Sequence, residues 1–174
     1  IYAHTVWSDY PFYIPNRKVD FDKTDLSMGW NLLSYRKPVQ ASSSLAGYEP
    51  GNANDEQIET WWAAQTGKKG EWLQVDLETP MLVNSIHVNF ADHHFKVFAP
   101  HPPVVYQFFI EGSADGKKWM NLFDERENGK DEPHRLFTLD KPMKVRYLRI
   151  CNAKEMDGCF SLSGFRVFGK GEGA

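Results

Sequence analysis

Carboxylate and hydroxyl side chains are the first residues to consider for catalysis. The pairs Asp55–Glu56 and Asp131–Glu132 are sequence neighbours, whereas hydrolysis by two carboxylates needs them separated across the bond that is cut. The serines lack the strand–turn–helix context of an activated nucleophile, and the sequence contains no glycine-rich phosphate-binding loop. The pattern therefore predicts a protein that is not an enzyme.

Histidines form a second group, Asp92-His93-His94, with His101 a short distance along the chain. Zinc sites take Cys and His at characteristic spacings, and no such spacing occurs around these residues. Adjacent side chains on an extended segment also point to opposite sides. The group therefore favours hydrogen bonding to a ligand, or simple solvation, over a zinc site.

Aromatic and amide side chains suggest a different chemistry, recognition of a hydroxyl-rich ligand. Tyr48, flanked by Gly47 and Pro50, belongs to no core periodicity, and a flat ring can pack on the C–H face of a pyranose. Arg126 and Asn128 carry donors that suit hydroxyl groups. Two ordinary alternatives stay open: Tyr48 as a ring packed at a loop rim, and Arg126–Glu132 as a solvated charged loop.

The elements that must position these residues are short strands. Leu73, Val75 and Leu77 alternate with polar residues, which is the period of a half-buried strand. The same alternation recurs in several short segments separated by turns, including a tight turn at Asp115-Gly116. This succession of short strands predicts an all-β sandwich. At most one short helical turn is expected, within Ala53–Trp62. The predicted strands are 73–77, 86–90, 106–110, 119–123, 136–139, 145–150 and 160–168.

Composition excludes some partners. The formal charge of −3 is spread along the 174 residues without a basic stripe, so nucleic-acid binding is not expected. No apolar run approaches the roughly 20 residues of a membrane-spanning helix. Cys151 and Cys159 flank one short turn, within disulfide range if the flanking segments pair, although two separate thiols are favoured.

The first 29 residues differ in character from the rest. Tyr10–Pro15 is rich in aromatic residues and proline, which cannot continue a sheet interior. Residues 1–29 are therefore interpreted as an extended linker at the end of a preceding domain, residues 30–170 as the sandwich, and 171–174 as a tail. Because the chain starts at Ile1, directly in strand-like sequence, we expect it to be part of a longer protein.

The order of the motifs carries a family resemblance. Taken together, they resemble the discoidin domain, also called the coagulation factor V/VIII type C domain, which overlaps carbohydrate-binding module family 32. The resemblance implies a discoidin-like jelly-roll β-sandwich over residues 30–170. The motifs are Ala41–Ser44, Asp55–Trp62 with Trp62 as a core tryptophan, Trp72–Leu77, Ser113–Trp119, Arg146–Ile150 and Phe168-Gly169.

A narrower resemblance concerns Gly29–Tyr35 and Thr66–Trp72. These segments are similar to the C-terminal module of bacterial glycoside hydrolases of family 43, a group common in gut Bacteroidetes. The resemblance implies a periplasmic or extracellular parent enzyme, with residues near Ile1–Tyr13 closing its catalytic domain. It implies a non-catalytic module that binds glycans and targets the enzyme to them. A structural module packed on the catalytic domain is the alternative, and lipid binding as in animal relatives is a third.

The resemblance also implies where ligands bind, namely in loops at one end of the sandwich. The corresponding loops here are 45–51, 91–103, 125–134 and 152–160. Trp61 is expected either to be exposed near this site or to pack on the aromatic residues of the linker. The implied ligand-binding residues are Tyr48, Trp61, His93, His94, Phe95, Arg126, Asn128 and Phe160.

The same family commonly holds a structural calcium in the Asp55–Thr60 loop. Asp55 and Thr60 match two of its ligands, Gln57 replaces a frequent carboxylate, and Gly164 stands where the final strand supplies a glutamate. Calcium affinity depends on the number of charged oxygen ligands. The sequence therefore predicts at most a weak calcium site, and the alternative is a loop closed by Asp55 bonding to its own backbone.

Overall fold

A computed structural model describes residues 30–95 and 103–171, and its regular structure is almost entirely β-strand. The all-β prediction is therefore confirmed. The predicted linker 1–29, His101 and residues 172–174 lie outside the described residues. The strands are β1 (Asn31–Leu32), β2 (Val39–Ala41), β3 (Trp62–Ala63), β4 (Trp72–Phe90), β5 (Phe108–Ser113), β6 (Met120–Asp124), β7 (His134–Asn152) and β8 (Ser161–Lys170).

One short 3₁₀ helix, Pro50–Ala53, is present in the described part of the chain. It ends where the helical turn was expected to begin, because Pro50 occupies its first turn and fixes the backbone there. The described residues include no helix long and apolar enough to cross a membrane.

The strands pair antiparallel in the order β1-β8-β4-β7-β5-β6, with β2 on β4 and β3 on β8. Strands β4 and β7 are each 19 residues long and bend together, with a register shift between Asp76 and Met81. Glu78, at the bend, has a φ of 69°. The first part of β4 pairs with the end of β7, and the second part with its beginning. Strand β2 pairs only with the first half of β4 and β8 only with the second half, so the two halves belong to the two layers of the sandwich.

Alternating burial along β4 builds the core. Leu73, Val75 and Leu77 are buried before the bend, and Ile86 and Val88 after it. Apolar side chains on one face of each layer meet between the layers, which is the usual packing of a β-sandwich. The largest fully buried side chains are Trp62, Tyr106, Phe108, Phe160, Phe165 and a set of leucines and isoleucines.

The bends return both ends of β4 and β7 to one end of the sandwich, which we call the tip. The ring of Phe90, at the end of β4, stacks on Tyr106 with centroids 3.7 Å apart. Phe108, at the start of β5, pairs with Asn152 at the end of β7. The described parts of the loops before β3, after β4, before β7 and before β8 therefore all lie at the tip. The family resemblance implies that ligands bind at this end.

Polar contacts hold the chain segments at the tip together. The Asn152 amide donates to the carbonyls of Gly67 and Lys68 at 3.0 and 2.9 Å. Glu71 accepts hydrogen bonds from three hydroxyls, including Ser43 at 2.8 Å and Thr66 at 2.6 Å, the third being Ser42. Burial would raise the pKa of Glu71, but these donors together lower it. The serine-rich motif therefore serves to fix a half-buried carboxylate.

The cysteines are separate thiols, and both are buried. Cys151 lies on β7, paired with Trp72 on one side and Phe109 on the other. Cys159 lies in the loop before β8, where its backbone N–H donates to His93 O at 2.9 Å. The favoured interpretation of two thiols is confirmed.

Candidate functional site

Four aromatic side chains from three loops meet at the tip, and we call them the tip cluster: Tyr48, Trp61, His93 and His94. The ring of Tyr48 lies 5.1 Å from that of Trp61 and 4.4 Å from that of His93. His93 and His94 stack with centroids 4.0 Å apart. Tyr48 and Trp61 are half-buried and His94 is exposed, so the cluster presents part of its ring surface to solvent.

Backbone bonds hold the first two rings in place. Tyr48 N donates to Leu45 O at 3.0 Å, and Tyr48 O accepts from the Ser44 hydroxyl at 2.9 Å. Trp61 O accepts from the amide of Asn52 at 3.2 Å. Because both segments are fixed independently of any ligand, the Tyr48 and Trp61 rings are preorganised.

His93 is the deepest member of the cluster, with 9% of its surface exposed. Trp61 Nε1 donates to His93 Nδ1 at 3.2 Å, so the neutral ring carries its proton on Nε2. Nε2 is buried and has no hydrogen-bond partner among the described residues. Burial first, and the neighbouring His94 second, lower the pKa of His93. His93 therefore acts as a neutral packing ring under His94 and Tyr48.

The turn that carries the histidines is anchored to the core. The buried hydroxyl of Tyr106 donates to the carboxylate of Asp92, and burial raises the pKa of that phenol strongly. Asp92 and His94 both have positive φ, 49° and 61°. The anchor therefore holds a turn with two residues in the left-handed region, a conformation that is uncommon for residues other than glycine.

Two residues of the predicted set lie in the same region but have local partners. The Arg126 guanidinium pairs with Asp124 and lies over the ring of Phe109, with Cζ 4.1 Å from its centroid. These contacts do not join it to the tip cluster. Its role in ligand binding stays a prediction.

Asn128 shapes its own turn. Its amide nitrogen donates to the carbonyls of Tyr106 and Lys130, both at 3.0 Å, and Oδ1 accepts from Lys130 N. Because both amide hydrogens are already bonded, the structure corrects the prediction that Asn128 offers donors to a ligand.

The two phenylalanines of the predicted set pack inward. Phe160 is fully buried, edge-on to Trp62 with centroids 5.8 Å apart. The prediction that Phe160 binds ligand directly is therefore wrong, because its ring has no solvent-facing surface. Phe95 is half-buried, lies 6.0 Å from the Tyr106 ring and covers Gly158, where an added Cβ would come 2.6 Å from it. Phe95 therefore supports the tip from beneath.

A family profile described as the F5/8 type C domain matches residues 38–163, well over half of the chain. The chain belongs to the F5/8 type C domain family. The discoidin resemblance and the jelly-roll sandwich that it implied are confirmed.

Solved structures of carbohydrate-binding modules share the fold. Chitosan-binding module 1 of a Paenibacillus sp. IK-5 chitosanase/glucanase is 23% identical, with a TM-score of 0.66 over 80% of this chain and 99% of that module. Module 2 of the same enzyme, solved with chitotriose, is 21% identical, with a TM-score of 0.66 over 79% and 99%. The family 32 module of Clostridium perfringens NanJ, solved with galactose, is 16% identical, with a TM-score of 0.64 over 80% and 98%.

A curated relative is the mouse EGF-like repeat and discoidin I-like domain-containing protein 3. It is 31% identical over 97 residues, which cover 51% of this chain and 19% of the mouse protein. The chain thus spans about a fifth of the length of the curated relative that it matches.

The residues of the Asp55–Thr60 loop do not fit the calcium that the family implies. Asp55 Oδ1 accepts from Gln57 N at 2.9 Å, and Oδ2 accepts from the Thr60 hydroxyl at 2.8 Å, which is the self-closed loop expected as the alternative. The guanidinium of Arg166 forms an ion pair with Glu56 at 2.7 Å. The described residues contain no group of three or more His, Cys, Asp or Glu able to hold a metal.

Sequence reasoning missed Arg166 and Tyr106. Alternation along β8 places residues 164 and 166 on the same face of the strand, so the Gly164 position already pointed to Arg166 as its neighbour. Tyr106 was counted only as a strand residue, because its hydroxyl partner Asp92 is brought to it by the fold.

Proposed function

We propose that this F5/8 type C domain is a non-catalytic carbohydrate-binding module, and that the tip cluster is its ligand face. The observation that carries the proposal is the convergence of Tyr48, Trp61 and His93 from three loops on a fixed framework. Sugar-binding surfaces combine an aromatic ring with a few polar groups at fixed positions. Here His94 is the exposed polar side chain beside the rings.

The proposal is supported by the rigidity of the cluster. A ligand that packs on a ring already held in place does not have to order that ring, so less conformational entropy is lost on binding. The half-buried state of Tyr48 and Trp61 leaves an edge or face of each ring for a pyranose. Sugars of the kinds bound by the similar modules, galactose and chito-oligosaccharides, are the first candidates.

The proposed biological role is to hold a catalytic domain close to its glycan substrate. We propose that the parent protein is a glycoside hydrolase, acting outside the cytoplasm, and that the module keeps its catalytic domain near glycans. Tethering raises the effective concentration of substrate, so even low monovalent affinity increases turnover on a polymer.

Calorimetric titration tests the ligand face. The domain is titrated with galactose, chitotriose, xylan fragments and arabinan fragments up to about 10 mM, above the roughly millimolar affinity expected of a small site. Tyr48→Ala should weaken binding about tenfold, as expected for an aromatic anchor. The matched control is Tyr35→Ala, an exposed tyrosine in the turn between β1 and β2. Absence of binding to all four sugars, or equal losses in the two variants, would contradict the proposal.

A second candidate function, stabilising a neighbouring domain, is favoured by one observation. An open apolar groove of about 380 Å³ lies on the outer surface of the β8–β4–β7 layer. Trp30 lies at the point where the chain enters the sandwich and Leu136 faces it, and they are 40% and 65% exposed. Exposed apolar surface of this kind is often covered by a partner. The lining residues are Trp30, Ser85, His87, Leu136 and Phe168.

Surface variants in the full-length protein distinguish this candidate. Leu136→Ser should leave the Tm of the isolated domain unchanged and lower the Tm of the full-length protein by a few degrees. Leu82→Ser is the control, since Leu82 is 40% exposed and does not line the groove. Equal Tm values for the Leu136 variant and the unmodified full-length protein would contradict a stabilising role.

A further inference from the structure

The most informative unassigned contact is the one made by Arg166 on β8. Its Nε donates to Glu56 Oε2 at 2.7 Å, and the arginine side chain is only 20% exposed. In the amide orientation that gives every polar atom a partner, Asn89 Oδ1 accepts from Arg166 Nη1 at 2.8 Å. The guanidinium is therefore fixed at both ends, by the loop on one side and by β4 on the other.

The guanidinium also fills the space beside Gly164. A Cβ placed on Gly164 would overlap Arg166 Nη1, so residue 164 must be glycine while the arginine lies there. Position 164 and the Asp55–Thr60 loop are the two places from which the family resemblance implies calcium ligands. The positive charge of Arg166 lies between them.

We propose that the Arg166 guanidinium takes the place of the calcium ion of related domains and pins the Asp55–Thr60 loop without a metal. A fixed positive charge repels a divalent cation at short range, most strongly where water is partly excluded. The same charge attracts the Glu56 carboxylate, which has turned toward it. The Arg166 side chain thus supplies the positive charge and, because it belongs to β8, also links that charge to the sheet.

The backbone of Glu56 supports this assignment. Its φ is 61°, a left-handed conformation that glycine adopts freely and that costs free energy for glutamate. The Arg166 contact compensates for that conformation by holding the Glu56 side chain. A surface ion pair made by two flexible side chains contributes little, but this pair joins a strained loop residue to a half-buried arginine that Asn89 also orients.

The pinned loop leads directly into the tip cluster. Thr60, the last residue of the loop, precedes Trp61, and the Thr60 hydroxyl closes the loop on Asp55 at 2.8 Å. Arg166 is therefore a positioning residue for Trp61, acting through Glu56 and the loop. This role does not depend on which ligand the tip binds.

Hydrogen exchange of the loop amides tests the proposal. In the unmodified domain, the exchange rates across residues 55–60 and the Tm should be the same in EDTA and in about 10 mM calcium chloride. This calcium concentration exceeds the dissociation constants of even the weakest extracellular calcium modules. Arg166→Ala and Glu56→Ala should each speed loop exchange about fivefold, and the double variant should be no faster than either single variant. Calcium-dependent protection that Asp55→Asn removes would overturn the proposal, as would additive effects in the double variant.

Two further variants separate loop pinning from general stability and test the replacement directly. Arg146→Ala, which removes the ion pair with Asp76 on the other layer, should leave loop exchange unchanged. Loop exchange that speeds up as much in Arg146→Ala as in Arg166→Ala would overturn a specific role of Arg166.

The double variant Gly164→Glu/Arg166→Ala places a carboxylate at position 164 and removes the cation. The Tm of this double variant should rise with calcium. Gly164→Glu alone should not. If Gly164→Glu/Arg166→Ala folds but its Tm does not change with calcium, the claim that Arg166 occupies the place of the metal is overturned.

Discussion

Trp61 and His93 are joined by a hydrogen bond from the indole N–H to the imidazole Nδ1, 3.2 Å long. The bond ties the loop before β3 to the loop after β4, two segments separated by the whole of β4. It also fixes the histidine tautomer, since Nδ1 can accept only when it carries no proton. The tip is therefore sensitive to any change that protonates His93 or removes the indole donor.

Acidification should loosen the tip. Burial, and then His94, lower the pKa of His93 below its ordinary 6.5. Between 6.5 and the lower pKa of the folded state, the unfolded chain binds a proton that the folded chain does not, so the stability contributed by neutral His93 is complete above 6.5 and is lost as the pH falls toward the folded-state pKa. Thermal unfolding between about pH 8 and pH 5 should show the Tm decreasing in this window. His93→Phe should reduce the slope.

His87 contributes to the pH dependence of the Tm in the same direction. Burial first and Arg166 second lower its pKa as well. His87→Phe should also reduce the slope, and the double variant should reduce it most. A slope in the His93→Phe variant equal to that of the unmodified domain would contradict the role of His93.

Removing the indole donor should cost stability. Trp61→Phe keeps an aromatic ring in the cluster but leaves His93 Nδ1 without its donor, and an unsatisfied buried acceptor costs about 1–3 kcal/mol. Urea unfolding measures the difference. Trp119→Phe is the matched control, because its indole N–H has no partner within the described segments, although Arg149 packs on its ring at 4.0 Å. Equal losses in the two variants would show that ring size, and not the hydrogen bond, matters.

The core strands were predictable from sequence, whereas their connections were not. Leu73–Leu77 and Ile86–Phe90 were identified by their alternation, but they are two halves of one bent strand. The bend at Glu78–Pro80 interrupts the period of two, so the sequence pattern reads as two elements. The pairing of both halves with β7 shows that they belong to one continuous strand.

The tip residues divide according to their local partners. Tyr48 was identifiable because glycine and proline isolate it from any periodic element, and the structure places it beside His93. Asn128 and Arg126 have equally suitable donors, but Tyr106 O and Asp124 engage them. Such competition depends on backbone positions that composition and spacing do not specify, so residue type alone does not show which donors already have a partner in the fold.

Phe160 should behave as a core residue. It is fully buried between Trp62 and Phe90, so Phe160→Ala should lower the free energy of unfolding by about 3–5 kcal/mol. Phe160→Leu should cost less and leave sugar affinity unchanged. Urea unfolding and calorimetric titration of the leucine variant measure the two effects. Loss of binding in a leucine variant of nearly normal stability would restore Phe160 to the ligand face.

The thiols should resist alkylation in the folded protein. Cys151 and Cys159 are 7% and 6% exposed, and burial raises the pKa of Cys151 to about 11 and that of Cys159 above its usual value. Since the thiolate is the reactive form, iodoacetamide near neutral pH should modify neither cysteine in the native state and both in urea, as mass spectrometry would show. Rapid native labelling would contradict the burial of these side chains. Labelling in urea that requires a reductant would instead reveal a disulfide.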